Sequence, residues 1–261
     1  MAGASICQQQ AIVRKSLEAL KLMPEGATPP EIGTSVHQIV REVTGVPDPY
    51  QQVKQTATEQ ALQMLPDLRA LLLASDDPLL TAIRLSIAGN IIDFGLNQDY
   101  ELWEVVKRVL EADLAIDNTL SLRDKLAEVD TILYLSDNAG ETVFDRLLIE
   151  TLTKPVAYIV RSGPVINDAT MADALTAGID QVADVISNGS QDPGTILSKC
   201  SPAFQETFHS AELILAKGMA NYETLSGVPG PIFFLLQVKC PVISQDIGAP
   251  VGSAIVLQGC A

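Results

Sequence analysis

The amino-acid sequence predicts an α/β fold: an α/β/α sandwich with a mostly parallel sheet, preceded by an all-helical N-terminal region. Three observations predict it. Residues up to about 128 carry apolar side chains at three- and four-residue spacing and read as helices only. From residue 131, short apolar runs alternate with helical or glycine-containing segments, the grammar of βαβ units. Successive runs end in polar or glycine-containing loops, where an open parallel sheet binds ligands. The change near 130 is a compositional shift without a flexible linker. It gives a helical domain over 1–128 and an α/β Rossmann-like domain over 129–261, packed tightly together.

In the first part the helical segments are "QQQAIVRKSLEALKLM", "TPPEIGTSVHQIVREVTG", "YQQVKQTATEQALQMLPDLRALLLAS", "PLLTAIRLSIAGNIIDFG" and "DYELWEVVKRVLEA". Pro-, Gly- and Asp-rich breaks separate them: "MPEGATPP", "GVPDPY", "SDDP" and "GLNQD". In the second part the expected strands are "TILYL", "PVAYIV", "ADVI", "AELILA" and "PIFFLLQV". No repeat of 20 to 50 residues and no low-complexity tract interrupts either part.

Composition narrows the function. A hydrophobic content of 47% with 19% charged residues over 261 positions is that of a chain with a large core. The longest apolar runs are too short to cross a bilayer, and no basic segment followed by an apolar core stands at the start, so no membrane association and a cytoplasmic location are expected. A formal charge of −15, from 32 acids against 17 bases, repels phosphate backbones, and nucleic acid is not an expected partner. Cys7, Cys200, Cys240 and Cys260 lie far apart and read as small hydrophobes rather than a zinc knuckle or redox pair. The two histidines, His37 and His209, have no acidic or nucleophilic partner in sequence, which disfavours a histidine triad. The glycine fingerprints of dinucleotide and P-loop folds, the G-x-S-x-G elbow and H-E-x-x-H are all missing.

The polar strand ends carry the chemistry. "TILYL" is followed by Ser136, Asp137, Asn138, Ala139 and Gly140, with a helix starting near Glu141. "PVAYIV" is followed by Arg161, then by Asn167 and Asp168, and "AELILA" by Lys217, Gly218 and Asn221. Asx residues are ordinary turn formers, so each tip alone has a purely structural reading. Together, Asp137, Asn138 and Asp168 offer hard oxygen ligands suited to Mg or Mn. Gly140 opens a helix whose first amides could cradle phosphate. Lys217 adds a cation, and Gly218 permits close backbone approach. These are the parts of phosphoryl chemistry. In "SIAGNIIDFG", Asn90 and Asp93 share a face of a largely apolar helix. They are either an internal cap or a bridge to neighbouring backbone, or a roof donating polar groups to the site across the domain junction.

"IAGNIIDFG", "SDNAGETVFDRLLIE", "VRSGPVINDAT", "ILSKCSPAF" and "ELILAKGMANYETL", taken together, resemble the metal-dependent damage-control phosphatase family, long catalogued as domain of unknown function 89, in its prokaryotic branch. The similarity runs from about "GVPDPY" to "CPVISQDIG". It implies hydrolysis of phosphate monoesters of small metabolites, sugar phosphates included, with a divalent metal cation (Mg, Mn, Co or Ni). It carries metal ligation onto Asp137, Asn138 and Asp168. It carries catalytic or substrate-side roles onto Asn90, Asp93, Glu141, Arg161, Asn167, Lys217 and Asn221, beside Gly140 and Gly218. Relatives in this branch commonly have C-x-x-C before the first helix; here Ala4 stands where the first cysteine would be, ahead of Cys7. Two other readings fit the polar tips: a carboxyl methyltransferase using S-adenosylmethionine, although no glycine loop for it is present, and a non-catalytic phosphometabolite-binding protein.

Overall fold

The structure, a computed structural model, describes residues 3–90 and 99–260. Asp93 lies outside the described residues. The helical region comprises α1 (Ile6–Lys21), α2 (Pro29–Thr44), α3 (Gln51–Leu73), α4 (Pro78–Gly89) and α5 (Asp99–Glu111). Their ends follow local chemistry. Ser5 and Gln8 form a capping box on α1, Thr28 and Glu31 do so on α2, and Asp77 caps α4 ahead of Pro78.

The sheet region then runs β1 (Ile116–Asp117), α6 (Thr119–Glu128), β2 (Ile132–Leu135), α7 (Thr142–Thr151), β3 (Val156–Val160), α8 (Met171–Thr176), β4 (Asp184–Ser187), α9 (Pro202–Ser210), β5 (Ile214–Lys217), α10 (Gly218–Leu225), β6 (Ile232–Gln237), α11 (Pro241–Ile247) and β7 (Ala254–Gln258). The strand order is β1-β7-β6-β5-β2-β3-β4, parallel except for the antiparallel β6/β7 pair. All five expected strands are present.

Two further strands were not expected. The two-residue β1 lies within the stretch read as helices only and pairs in parallel with β7. A strand of that length has no periodicity to detect, and it exists because β7 offers an edge.

Alternation along the strands assigns each side chain to a face. Ile132 and Tyr134 of β2, Tyr158 of β3 and Leu215 of β5 join a core with α3, α4, α6, α7 and α8. Leu133, Leu135, Ile159, Ile214 and Ala216 point the other way, into a core with Phe204 and Phe208 of α9, Tyr222 and Leu225 of α10, and Ile243 of α11. The sheet therefore carries a helical layer on each face, as the α/β/α sandwich requires. From β2 the chain winds outward to β3 and β4, then returns to β5 on the other side of β2. That reversal is a topological switch point, and it falls between the tips that carry Asp137 and Lys217.

Candidate active site

The tips of β2 and β3 are tied together through their backbones. Asn138 and Asp168 form an isolated antiparallel bridge, Ala139 N donates to Asn167 O (2.8 Å), and Ala169 N donates to Asp137 O (2.8 Å). Asp137, Asn138 and Asp168 are thereby brought side by side. Asp137 and Asp168 are 6% and 3% exposed. Burial first, and then neighbouring carboxylates, raise both pKa values: Glu141 and Asp168 act on Asp137, and Glu141 acts on Asp168 against the opposing pull of Arg161.

Asn90, the C-cap of α4, reaches the same place from the helical region. Its Nδ2 donates to Asp137 Oδ2 (2.9 Å) and Glu141 Oε1 (2.6 Å). Asn138 Nδ2 mirrors it, donating to Asp137 Oδ2 (3.2 Å) and Glu141 Oε1 (2.6 Å). Two amides thus share the same two carboxylate oxygens, which fixes which end of each amide is oxygen. Asn90 Oδ1 is buried and has no hydrogen-bond partner among the described residues. The internal-cap reading of Asn90 does not describe these bonds, because its donors go to side chains of β2's tip and of the turn before α7.

Gly218 makes room for Asp137. It has φ +76, and a Cβ there would lie 1.9 Å from Asp137 Oδ2, so both conformation and space exclude a side chain. Gly140 serves packing against α3, since its Cβ would meet Ala57 Cβ at 2.9 Å. The amides of Ala139 and Glu141 beside it already donate to Asn167 O and Asn138 O, so the cradle expected there is partly filled by the protein's own carbonyls.

Lys217, Arg161 and Asn221 are brought to the site with their polar atoms engaged by the protein. Lys217 is fully buried, and its Nζ donates to Ser86 O (3.0 Å), Glu141 Oε2 (2.9 Å) and Asp145 Oδ1 (2.7 Å). An ammonium has three protons, so none is left over for a phosphate in this arrangement. Burial works against its charge, but Asp145 and Glu141 outweigh burial and hold its pKa above the ordinary lysine value. Arg161 donates from Nε to Asp168 Oδ2 (2.9 Å), with Thr195 Oγ1 and Ser136 O nearby at 3.5 and 3.4 Å. Asn221 Nδ2 donates to Ser136 O (3.0 Å) and Lys217 O (2.7 Å), and its Oδ1 accepts from Thr195 (2.8 Å). Sequence reasoning missed Ser86, Asp145 and Thr195 altogether.

No metal is part of this structure, and among the described residues no three His, Cys, Asp or Glu side chains form a metal-holding group. The expected ligand set, two carboxylates and one amide, is not of that kind. The residues present fit a hard divalent cation on two observations. Four buried acidic side chains (Asp137, Glu141, Asp145 and Asp168) stand with two buried basic ones (Lys217 and Arg161), and the half-buried Lys239 also acts on Asp137, so acids outnumber bases in the cluster. Asn90 Oδ1, beside Asp137, is a buried oxygen that meets no donor among the described residues.

A mostly parallel sheet with buried Asp137 and Asp168 at its switch point is that of an α/β protein with a ligand site at the strand tips. The particular family follows from comparison. The model of the damage-control phosphatase ARMT1-like domain matches residues 2–255, and this chain belongs to that family. The match reaches well beyond the segment over which the motifs show resemblance, to include α1 and α2. A damage-control phosphatase of Archaeoglobus fulgidus is 38% identical over 91% of this chain and 86% of its own length. One from Pyrococcus horikoshii is 34% identical over 96% and 88%. An uncharacterized protein of Methanocaldococcus jannaschii is 36% identical over 96% and 87%. The crystal structure of the Pyrococcus horikoshii protein, described as a DUF89 family member, superposes with a TM-score of 0.92 at 30% identity, covering 99% of this chain and 92% of that one.

Proposed function

We propose that this protein hydrolyses phosphate monoesters of small metabolites, sugar phosphates or related damaged metabolites, with a divalent cation (Mg, Mn, Co or Ni) held by Asp137, Asn138 and Asp168. The observation that carries this reading is the excess of acidic over basic side chains in a buried cluster where Asn90 Oδ1 meets no hydrogen-bond donor among the described residues. When bound, the cation would supply Lewis-acid chemistry, polarising a phosphoryl oxygen and acidifying water.

The chain's own residues supply orientation. Glu141 fixes the amides of Asn90 and Asn138, Arg161 fixes Asp168, and Gly218 keeps the space beside Asp137 clear. We read 1–128 and 129–261 as two units of one catalytic body, because α4 of the first supplies Asn90 to the second. Asp93 and the side chain of Asn167 complete the proposed substrate side.

The test is phosphate release from a panel of sugar and nucleotide phosphates with each of the four metals. Asp137→Ala and Asp168→Ala should remove turnover and metal binding while the far-ultraviolet spectrum stays that of the folded protein. No release from any substrate, or full metal-dependent turnover in both variants, would overturn the reading.

A further inference from the structure

Asp145 is not among the expected cation ligands, yet four donors converge on its fully buried carboxylate. Oδ1 accepts from Ser86 Oγ (2.9 Å), Tyr134 OH (2.8 Å) and Lys217 Nζ (2.7 Å), and Oδ2 accepts from Tyr158 OH (2.7 Å). Tyr134 and Tyr158 are register partners on β2 and β3, and their rings stack with centroids 5.3 Å apart. Both hydroxyls are thus delivered to one carboxylate by neighbouring strands. Stability alone is a poor reason for such a cluster, because well-packed apolar side chains often serve as well as a buried ion pair.

We propose that Asp145 is a positioning residue for the cation site, acting through Lys217 and Glu141. This rests on the reading of that site given above. Asp145, one helical turn after Glu141, holds one side of the Lys217 ammonium while Ser86 O holds another. The third contact of the ammonium fixes Glu141 Oε2, and so fixes Oε1, where Asn90 Nδ2 and Asn138 Nδ2 meet at 2.6 Å each. With both nitrogens pinned to Glu141, both amide oxygens turn away from it. Turning either amide over would set an oxygen against a carboxylate. The anchor at Asp145 therefore sets how Asn90 and Asn138 present their oxygens, three hydrogen bonds away. Partners of this outer kind orient ligands in metal sites generally.

The experiment is Mn2+ binding to metal-free protein without substrate. It is followed by calorimetry and by the electron paramagnetic resonance signal of free Mn2+, for wild type, Asp145→Asn, Tyr158→Phe and Leu122→Ala. Leu122 is a buried core residue on α6, used to separate lost stability from lost positioning. Asp145→Asn should weaken Mn2+ binding by about 10–100-fold per folded molecule. Tyr158→Phe, which keeps every charge, should weaken it less but in the same direction. Leu122→Ala should lower the melting temperature and leave Mn2+ affinity unchanged. Unchanged affinity in folded Asp145→Asn overturns this proposal alone. Should Asp145→Asn fail to fold, unchanged affinity in Tyr158→Phe overturns it instead. Absence of Mn2+ binding in wild type overturns the site reading, and this proposal with it.

Discussion

Asp137 and Asp168 sit on neighbouring strand tips but are secured in different ways. Around Asp137, with the half-buried Asn138 and Lys239 beside it, the network is largely interior: Asn90, Glu141, Asp145, Lys217 and Ser86 are each no more than 1% exposed. Asp168 has the buried Arg161 behind it, but the loops on its side lean on α2 at the surface. Thr34 Oγ1 donates to Asp192 Oδ1 (2.7 Å), Arg41 donates to Pro164 O, and the same guanidinium lies 3.5 Å from Gln191 Oε1. Ile166, between Pro164 and Asp168, is held at φ 42, a left-handed conformation that costs a β-branched residue roughly 1–3 kcal/mol. One half of the site is thus set by the core and the other by loops propped against a helix. Damage to the buried surroundings of Asp137 should appear as lost metal binding, and damage to the loop contacts with α2, Asp168 itself left in place, as altered substrate handling.

The sharpest way to break the core half is Lys217→Ala. It leaves Glu141 and Asp145 buried without their cation, and removing one partner of a buried pair costs about 3–5 kcal/mol. Metal affinity should fall with stability, both read by chemical denaturation with and without Mn2+. If only phosphate-ester binding suffers, Lys217 faces substrate after all, as the sequence suggested. Asn90→Ala comes next. Losing its two hydrogen bonds should cost roughly 1–2 kcal/mol. Turnover per folded molecule should drop far more than that stability loss explains, measured at saturating metal. Near-equal activities would return Asn90 to a structural role.

On the loop half, Arg41→Ala should cost only about 1 kcal/mol, because it releases one carbonyl contact and a long one to Gln191. Mn2+ affinity should stay at the wild-type value while KM shifts. A loss of Mn2+ affinity there would erase the distinction between the two halves.

That distinction was only partly legible in the sequence. Strands β2 to β6 and the gathering of Asp137, Asn138 and Asp168 at their tips could be read from apolar runs ending in polar residues and Gly. The partners of Lys217 within the protein were missed because tip position was weighed and parity was not. Leu215 and Lys217 lie on one face of β5, the face covered by α4 and α7, and Glu141 and Asp145 stand one turn apart at the start of α7. The i,i+4 acids opposite an in-facing lysine were the available signal. Asn90 was legible as a polar group in an apolar helix. Its partners were not, because they lie about 50 positions away, on β2's tip and in the turn before α7. The contacts of α2 with the loops run from single polar side chains to groups far away in sequence, and no local pattern announces them.

The smallest effect concerns α2 itself, where His37 packs edge-on against Tyr50 with ring centroids 5.4 Å apart. Burial, and secondarily the charge of Arg41, lower its pKa below the ordinary histidine value. The unfolded chain then takes up the proton more readily than the folded one. This contribution to stability is therefore complete above the unfolded pKa of about 6.5, is lost as pH falls through that value, and levels off below the folded pKa. Denaturation midpoints taken from about pH 7.5 to pH 5.5 should fall in wild type and fall less steeply in His37→Gln. Arg41→Ala removes the secondary cause without touching the ring, so its slope should lie between the two. Identical slopes in all three proteins would mean that acid sensitivity lies elsewhere and that α2 props the loops without any titrating group of its own.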